Sequence, residues 1–130
     1  MLLTAVTTRH VAPCTDSIVF TFASSVSSPP GVQVSLVTPP FTGVDGRPRP
    51  VRGERFYRVQ FEPASTFDFQ TGKPSYTGST DFTFVGAAHI VQIVETDAFE
   101  GVVTWIIGVH SGDQFVAVTT SSPPSLALTF

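Results

Sequence analysis

Two carboxylates and two aromatic rings, Asp97, Glu100, Phe99 and Trp105, fall within nine positions of one another. They belong to Asp97-Ala98-Phe99-Glu100-Gly101, an acidic turn ending in glycine, and to the apolar run Val102-Val103-Thr104-Trp105-Ile106-Ile107-Gly108-Val109 behind it. A pair of acids could cleave a glycosidic bond if the carboxyls lay roughly 5–9.5 Å apart across the sugar. One turn sets both on the same side of a substrate, so a binding rim fits the pattern better than catalysis. The plainest reading is a fixed turn: Asp97 caps it, Phe99 tucks inward, Glu100 faces water and Gly101 supplies the bend. Trp105, the only tryptophan, shares the phase of Val103, Ile107 and Val109. Core anchor is the default for a ring in such a strand; an exposed stacking platform for sugar or peptide is the alternative.

Other chemistry finds little support. His10, His89 and His110 are far apart, Cys14 is the only thiol, and no metal-ligand spacing connects them, so neither a metal nor a cofactor is expected. His10 and Asp16 can meet across a tight turn and form an orienting hydrogen bond, read as structural. No serine stands in a Gly-x-Ser-x-Gly context, and no phosphate-cradling glycine loop is present. Five of the seven cations, Arg47, Arg49, Arg52, Arg55 and Arg58, crowd into twelve residues among Pro48, Pro50 and Gly53. This cluster reads as a solvated hairpin or loop arm. The alternative is an anion-binding patch in which Arg52 and Arg55 hold carboxylates or phosphates. With a net charge of −3, the chain has no electrostatic footprint for nucleic acid.

These residues need strands to hold them. Apolar residues alternate with period two, and no segment keeps a 3.6-residue period for three turns. Ile18, Phe20 and Phe22 share a face, as do Val32, Val34 and Leu36, and Tyr57, Val59 and Phe61, with Arg58 and Gln60 opposite. About eight strands follow, over 3–10, 16–22, 32–38, 54–62, 89–95, 102–109, 114–119 and 125–130. Ser28-Pro29-Pro30-Gly31, Pro39-Pro40, Asp45-Gly46, Gly72-Lys73-Pro74, Ser111-Gly112-Asp113 and Ser122-Pro123-Pro124 punctuate them. The exception is 63–87, an aromatic- and glycine-rich excursion expected to fold over one end, with a helical turn near 64–69 and a short strand near 81–85. The architecture expected is all-β: a compact sandwich of mostly antiparallel strands.

A length of 130 residues suits one domain, residues 1–130, and twelve phenylalanines supply ample core. Charged residues make up only 13% of the chain, and hydroxyl side chains are abundant, a composition suited to an extracellular or carbohydrate-facing surface. One cysteine excludes an internal disulfide. No stretch approaches 18 apolar residues, so no spanning helix is expected, and the chain as written shows no export signal.

Three blocks in order carry a resemblance. His10, then Asp16-Ser17-Ile18-Val19-Phe20-Thr21-Phe22, followed by Pro30-Gly31-Val32-Gln33-Val34, is similar to the opening half of actinobacterial AMIN-like domains. Asp97 through Trp105, Gly108, Phe115-Val116-Ala117-Val118 and Ser122-Pro123-Pro124-Ser125-Leu126 resemble the closing half. The resemblance implies a β-sandwich, exported and often joined to a lipoprotein or secreted chain. It also implies a non-catalytic module that localises its carrier in the cell envelope by binding peptidoglycan. Ser17 and Ser125 stand where the family usually has arginine, which removes planar, bidentate donors that serine cannot replace. The leading expectation is a wall-binding module with Asp97, Phe99, Glu100 and Trp105 as contacts and Arg52 and Arg55 as anion partners. Its rivals are a docking domain that recruits an envelope protein through an open sheet edge, and an enzyme using Asp97 and Glu100.

Overall fold

Alternation of large apolar and small polar side chains produces two facing sheets. A computed structural model describes residues 1–11, 15–23, 30–84, 88–111, 114–121 and 123–130. Cys14 and the turn signals at Ser28-Pro29, Gly112-Asp113 and Ser122 lie outside them. The described residues contain no helix. One sheet is formed by β1 (Leu2–Val11), β2 (Thr15–Ala23), β11 (Pro124–Thr129) and β10 (Val116–Ser121), in that order. The other runs β3 (Gly31–Val37), β4 (Arg55–Glu62), β9 (Val102–Val109), β8 (Ile90–Phe99) and β7 (Asp81–Thr83). A third, two-stranded ribbon pairs β5 (Phe67–Asp68) with β6 (Lys73–Pro74). Neighbouring strands within each sheet are antiparallel.

The core lies between the two larger sheets. Ile18, Phe20 and Phe22 of β2 and Leu126 and Leu128 of β11 meet Val59, Phe61, Val103, Trp105 and Ile107 of the opposing sheet. Ring contacts lock the layers: Phe20 stands 5.0 Å from Phe61 and 5.7 Å from Trp105, and Phe22 stands 4.9 Å from Phe61. Tilted and edge-on pairs of this kind add about 0.5–1.5 kcal/mol each beyond burial. Strand β9 is central and buried on both faces, because Phe41 and Phe56 cover Ile106 from outside.

Seven of the eight sequence-derived strands end within two residues of their expected positions. The eighth, 89–95, continues to Phe99, so Asp97 and Ala98 are strand rather than turn. The expected helical turn near 64–69 is replaced by extended chain and the β5–β6 ribbon. Ser65 accounts for this locally: its hydroxyl accepts from Phe67 N–H at 3.0 Å and donates to Phe67 C=O at 2.9 Å. Such a local bond competes with helix formation. The Ser65 backbone is also committed, bonding Leu3 N–H and Met1 C=O at 2.9 Å each.

Candidate functional site

Strands β8 and β9 are joined by two residues, Glu100 and Gly101, with φ of 52° and 82°. Both are left-handed, as a tight hairpin requires, because only that geometry follows the right-handed twist of the flanking strands. Glycine takes this region freely; glutamate does so at a cost. The turn therefore holds Glu100 out on the tip in a fixed direction, beside Phe99, which pairs with Val102 and is 54% exposed. Phe99 thus projects into solvent rather than tucking inward.

One extra residue decides where the acids point. The β8–β9 register shifts between Glu95, opposite Trp105, and Asp97, opposite Thr104, leaving Thr96 as a bulge. Glu95 consequently turns to the core side with Trp105, and Asp97 to the outer side with Thr104. The outer position lets Asp97 Oδ1 accept from Val44 N–H at 2.7 Å, pinning the 42–48 loop against β8. Burial and the neighbouring Asp97 charge push the Glu95 carboxyl up to about 7, and its Oε2 is sealed from solvent with no hydrogen-bond partner.

Two clefts meet on this strand. One, of about 400 Å³, lies between Phe67 and Phe69 of the excursion and Ala98, Phe99 and Glu100 of the hairpin. Phe69 is 85% exposed and stacks edge-on to Phe67 at 5.0 Å. The second, of about 360 Å³, shares Ala98 and Phe99 and continues past Asp97 and Glu95 to Val44, Asp45 and Arg49. Asp45 faces the β8 acids, but both its oxygens are engaged: Oδ1 accepts from Arg47 N–H at 2.9 Å, and Oδ2 from Arg49 at 3.0 Å. The groove these clefts form at the hairpin has the Phe99 ring as a common wall, with Glu100 on one side of it and Asp97 on the other.

The remaining candidates lie elsewhere. Trp105 is fully buried, with Phe20, Tyr76 and Phe82 around its ring at 5.7, 6.1 and 6.4 Å. It is a core anchor, which removes it from any surface contact. Arg52 and Arg55 sit at the other end of the sheet, where Arg55 pairs with Val109, seven positions from the Val102 end. At 3.2–3.4 Å per residue that is about 23 Å from the hairpin tip. Arg52 donates its backbone N–H to Gln92 Oε1 at 2.7 Å. The arginine pair and the acidic hairpin therefore do not form one site. Arg49 supports the loop-arm reading through its bond to Asp45.

His10 and Asp16 meet as expected, Nδ1 to Oδ1 at 2.5 Å. Asp16 does more: its Oδ2 accepts from His89 N–H at 2.6 Å and Ile90 N–H at 3.0 Å, tying one sheet to the other. Desolvation pushes its pKa up, but the bond to His10 and the two backbone donors outweigh that and hold it below the ordinary value of 3.8.

The strand order, the acidic hairpin and the Asp16 tie cover the blocks on which the sequence resemblance rests. A family model for the AMIN-like domain matches residues 2–129. The chain belongs to the AMIN-like family. AMIN-like domains are binding or targeting modules rather than catalysts, and membership suggests an envelope-associated role. No curated protein and no solved structure matches the chain.

In this AMIN-like domain Ser17 and Ser125, the positions without arginine, lie on the outer face of the four-stranded sheet. Ser17 is opposite Arg9 and Thr129; Ser125 is opposite Thr21 and bonds Thr120 Oγ1 at 2.5 Å. Both are remote from the hairpin groove, which belongs to the other sheet. No sequence motif marks Phe69 or Glu95 as a site residue. Phe69 carried a usable signal, an aromatic next to Asp68, Gln70 and Gly72 with no apolar partner two positions on. Glu95 carried none, because the bulge that redirects it has no signature in residue type.

Proposed function

We propose that this AMIN-like domain is a single non-catalytic module, residues 1–130, that holds its carrier in the cell envelope by binding peptidoglycan at the β8–β9 hairpin. The observation that carries the reading is the pair of exposed rings, Phe69 and Phe99, on either side of a cleft whose rim includes Glu100. Large apolar rings left in water beside a concave surface mark a binding site rather than a folding requirement. Flat rings suit the apolar faces of sugars, and the carboxylates accept from hydroxyl or amine groups. The same geometry argues for binding without turnover. Asp97 and Glu100 lie on one hairpin, Asp45 is engaged by two arginines, and Glu95 Oε2 is sealed away from any substrate.

Pull-down with purified sacculi at low salt tests the proposal. The domain is expected on the sacculi, with Phe69→Ala and Phe99→Ala each lowering the retained fraction several-fold and no muropeptide released on prolonged incubation. Absence of the unaltered protein from the pellet would discard the reading.

A specific observation also favours docking through a sheet edge. Strand β10 closes one side of its sheet, all six of its residues are exposed, and none is charged or proline. Such an edge lacks the usual protection against strand addition by another chain. Under this reading Ala117→Pro or Val118→Pro abolishes capture of an envelope protein, while Glu100→Gln leaves it intact.

A further inference from the structure

We infer that the hairpin groove selects the free ammonium groups of the wall polymer, the amines of its peptide stems left uncrosslinked, over its carboxylates. The inference rests on the peptidoglycan reading above and assigns the chemical group that this site recognises. Three observations converge on it. First, the walls are apolar: Phe67, Phe69, Ala98 and Phe99 enclose about 400 Å³, enough for the methylene stem of a diamino side chain. An alkylammonium buries its stem along such walls while its head stays in water, and a ring within about 6 Å attracts the cation.

Second, the one charged residue lining those walls is an acid. Glu100 lines the apolar cleft, and Asp97, which also accepts from Val44 N–H, lines the neighbouring cleft that shares Ala98 and Phe99 with it. Glu62 ends β4, and the residue before it, Phe61, pairs with Val103, which places that strand end close to the hairpin. Of the cations nearby, Arg49 is matched by Asp45 at 3.0 Å, Lys73 stands opposite Asp68 in the register of the β5–β6 ribbon, and Arg58 lines a separate cleft on the outer face of the sheet. No lysine or arginine lines the apolar cleft. Third, the arginines that could receive wall carboxylates, Arg52 and Arg55, lie about 23 Å away. A stem carboxylate entering the groove meets like charge, and a stem ammonium meets its complement.

The experiment compares three preparations of the same sacculi: untreated, N-acetylated to neutralise free amines, and reductively dimethylated to block them while keeping their charge. One exposed ion pair, to Glu100, predicts a roughly two- to fivefold loss of retained protein on acetylated sacculi, with dimethylated sacculi close to untreated. Glu100→Gln should bring retention on untreated sacculi down to the acetylated level, whereas Glu54→Gln, at the opposite end of β4, should not. Equal retention on all three preparations overturns the inference and leaves the peptidoglycan reading standing. Equal loss on acetylated and dimethylated sacculi also overturns it, because the amine would then be read by shape and not charge. No retention on untreated sacculi overturns both.

Discussion

At Glu95 a carboxyl is turned toward Trp105 by the bulge at Thr96, and that placement makes the fold sensitive to pH. The group ionises near its usual 4.5 when unfolded and only near 7 when folded. Between those values the native state holds the extra proton, so stability falls as pH rises from about 4.5 to about 7 and is level above. The loss expected is roughly 1–3 kcal/mol. Urea midpoints at pH 5 and pH 8 measure it, and Glu95→Gln should bring the two together. Asp16 acts with the opposite sign. Its pKa is lowered on folding, so its contribution is complete above about 3.8 and disappears as pH falls through the native value. Stability should therefore peak near pH 4–5. At the hairpin tip Glu100 occupies a conformation that asparagine accepts more readily. Glu100→Asn is expected to raise stability by about 0.5–1 kcal/mol in urea titrations while removing a carboxylate from the groove. A gain in stability with a loss of sacculus retention would show that the residue at the turn serves binding at the expense of the fold.

At the level of elements, the crossing of 51–53 over β9 is the tightest contact between backbones. A side chain at Gly108 would place its Cβ 1.9 Å from Arg52 O, and one at Gly53 would meet Gly108 Cα at 2.9 Å. Gly108→Ala must push the loop off the sheet and uncover Ile106, with an expected cost of about 1–3 kcal/mol or more in urea titrations. Gly72 is the contrast: nothing lies within 4 Å of a Cβ there, and the constraint is its φ of 71° alone. The same elements show how much the chain's alternation reveals. Ile18, Phe20 and Phe22 and their counterparts on β4 and β9 announce both strand and inward face, so sandwich and core were legible from residue order. The bulge at Thr96 was not, because it inserts one ordinary residue into a strand and changes only which face follows. The plain turn reading tucks Phe99 inward for want of that bulge, whereas the ring lies outside. The ribbon at 67–74 was obscured for another reason: its conformation is fixed by Ser65 contacts with β1, more than fifty residues away in sequence. Trp105 was legible as a buried ring from the apolar run around it. The distance between the arginines and the acidic hairpin emerges only from strand pairing.

For the molecule as a whole, two sheets that share a greasy interior could slide or separate without a polar tie, and Asp16 provides one. Asp16→Asn keeps the shape but loses the charge that strengthens bonds to His10, His89 and Ile90. An expected loss of about 2 kcal/mol, together with a flattened acid limb in the pH–stability profile, would be seen in chemical denaturation of the full chain. The tie also fixes where the polypeptide leaves the fold. Phe130 exchanges backbone hydrogen bonds with Asp16, at 2.8 and 3.2 Å, while Met1 bonds Ser65 beside the aromatic cleft. The two termini thus emerge at opposite poles, one next to the hairpin and one away from it. A bead, fluorophore or carrier protein joined after Phe130 leaves the groove pointing outward, whereas the same cargo fused ahead of Met1 crowds its mouth. Orientation on a surface is accordingly set by which terminus is tethered, and an assay of wall affinity should attach the domain by its tail.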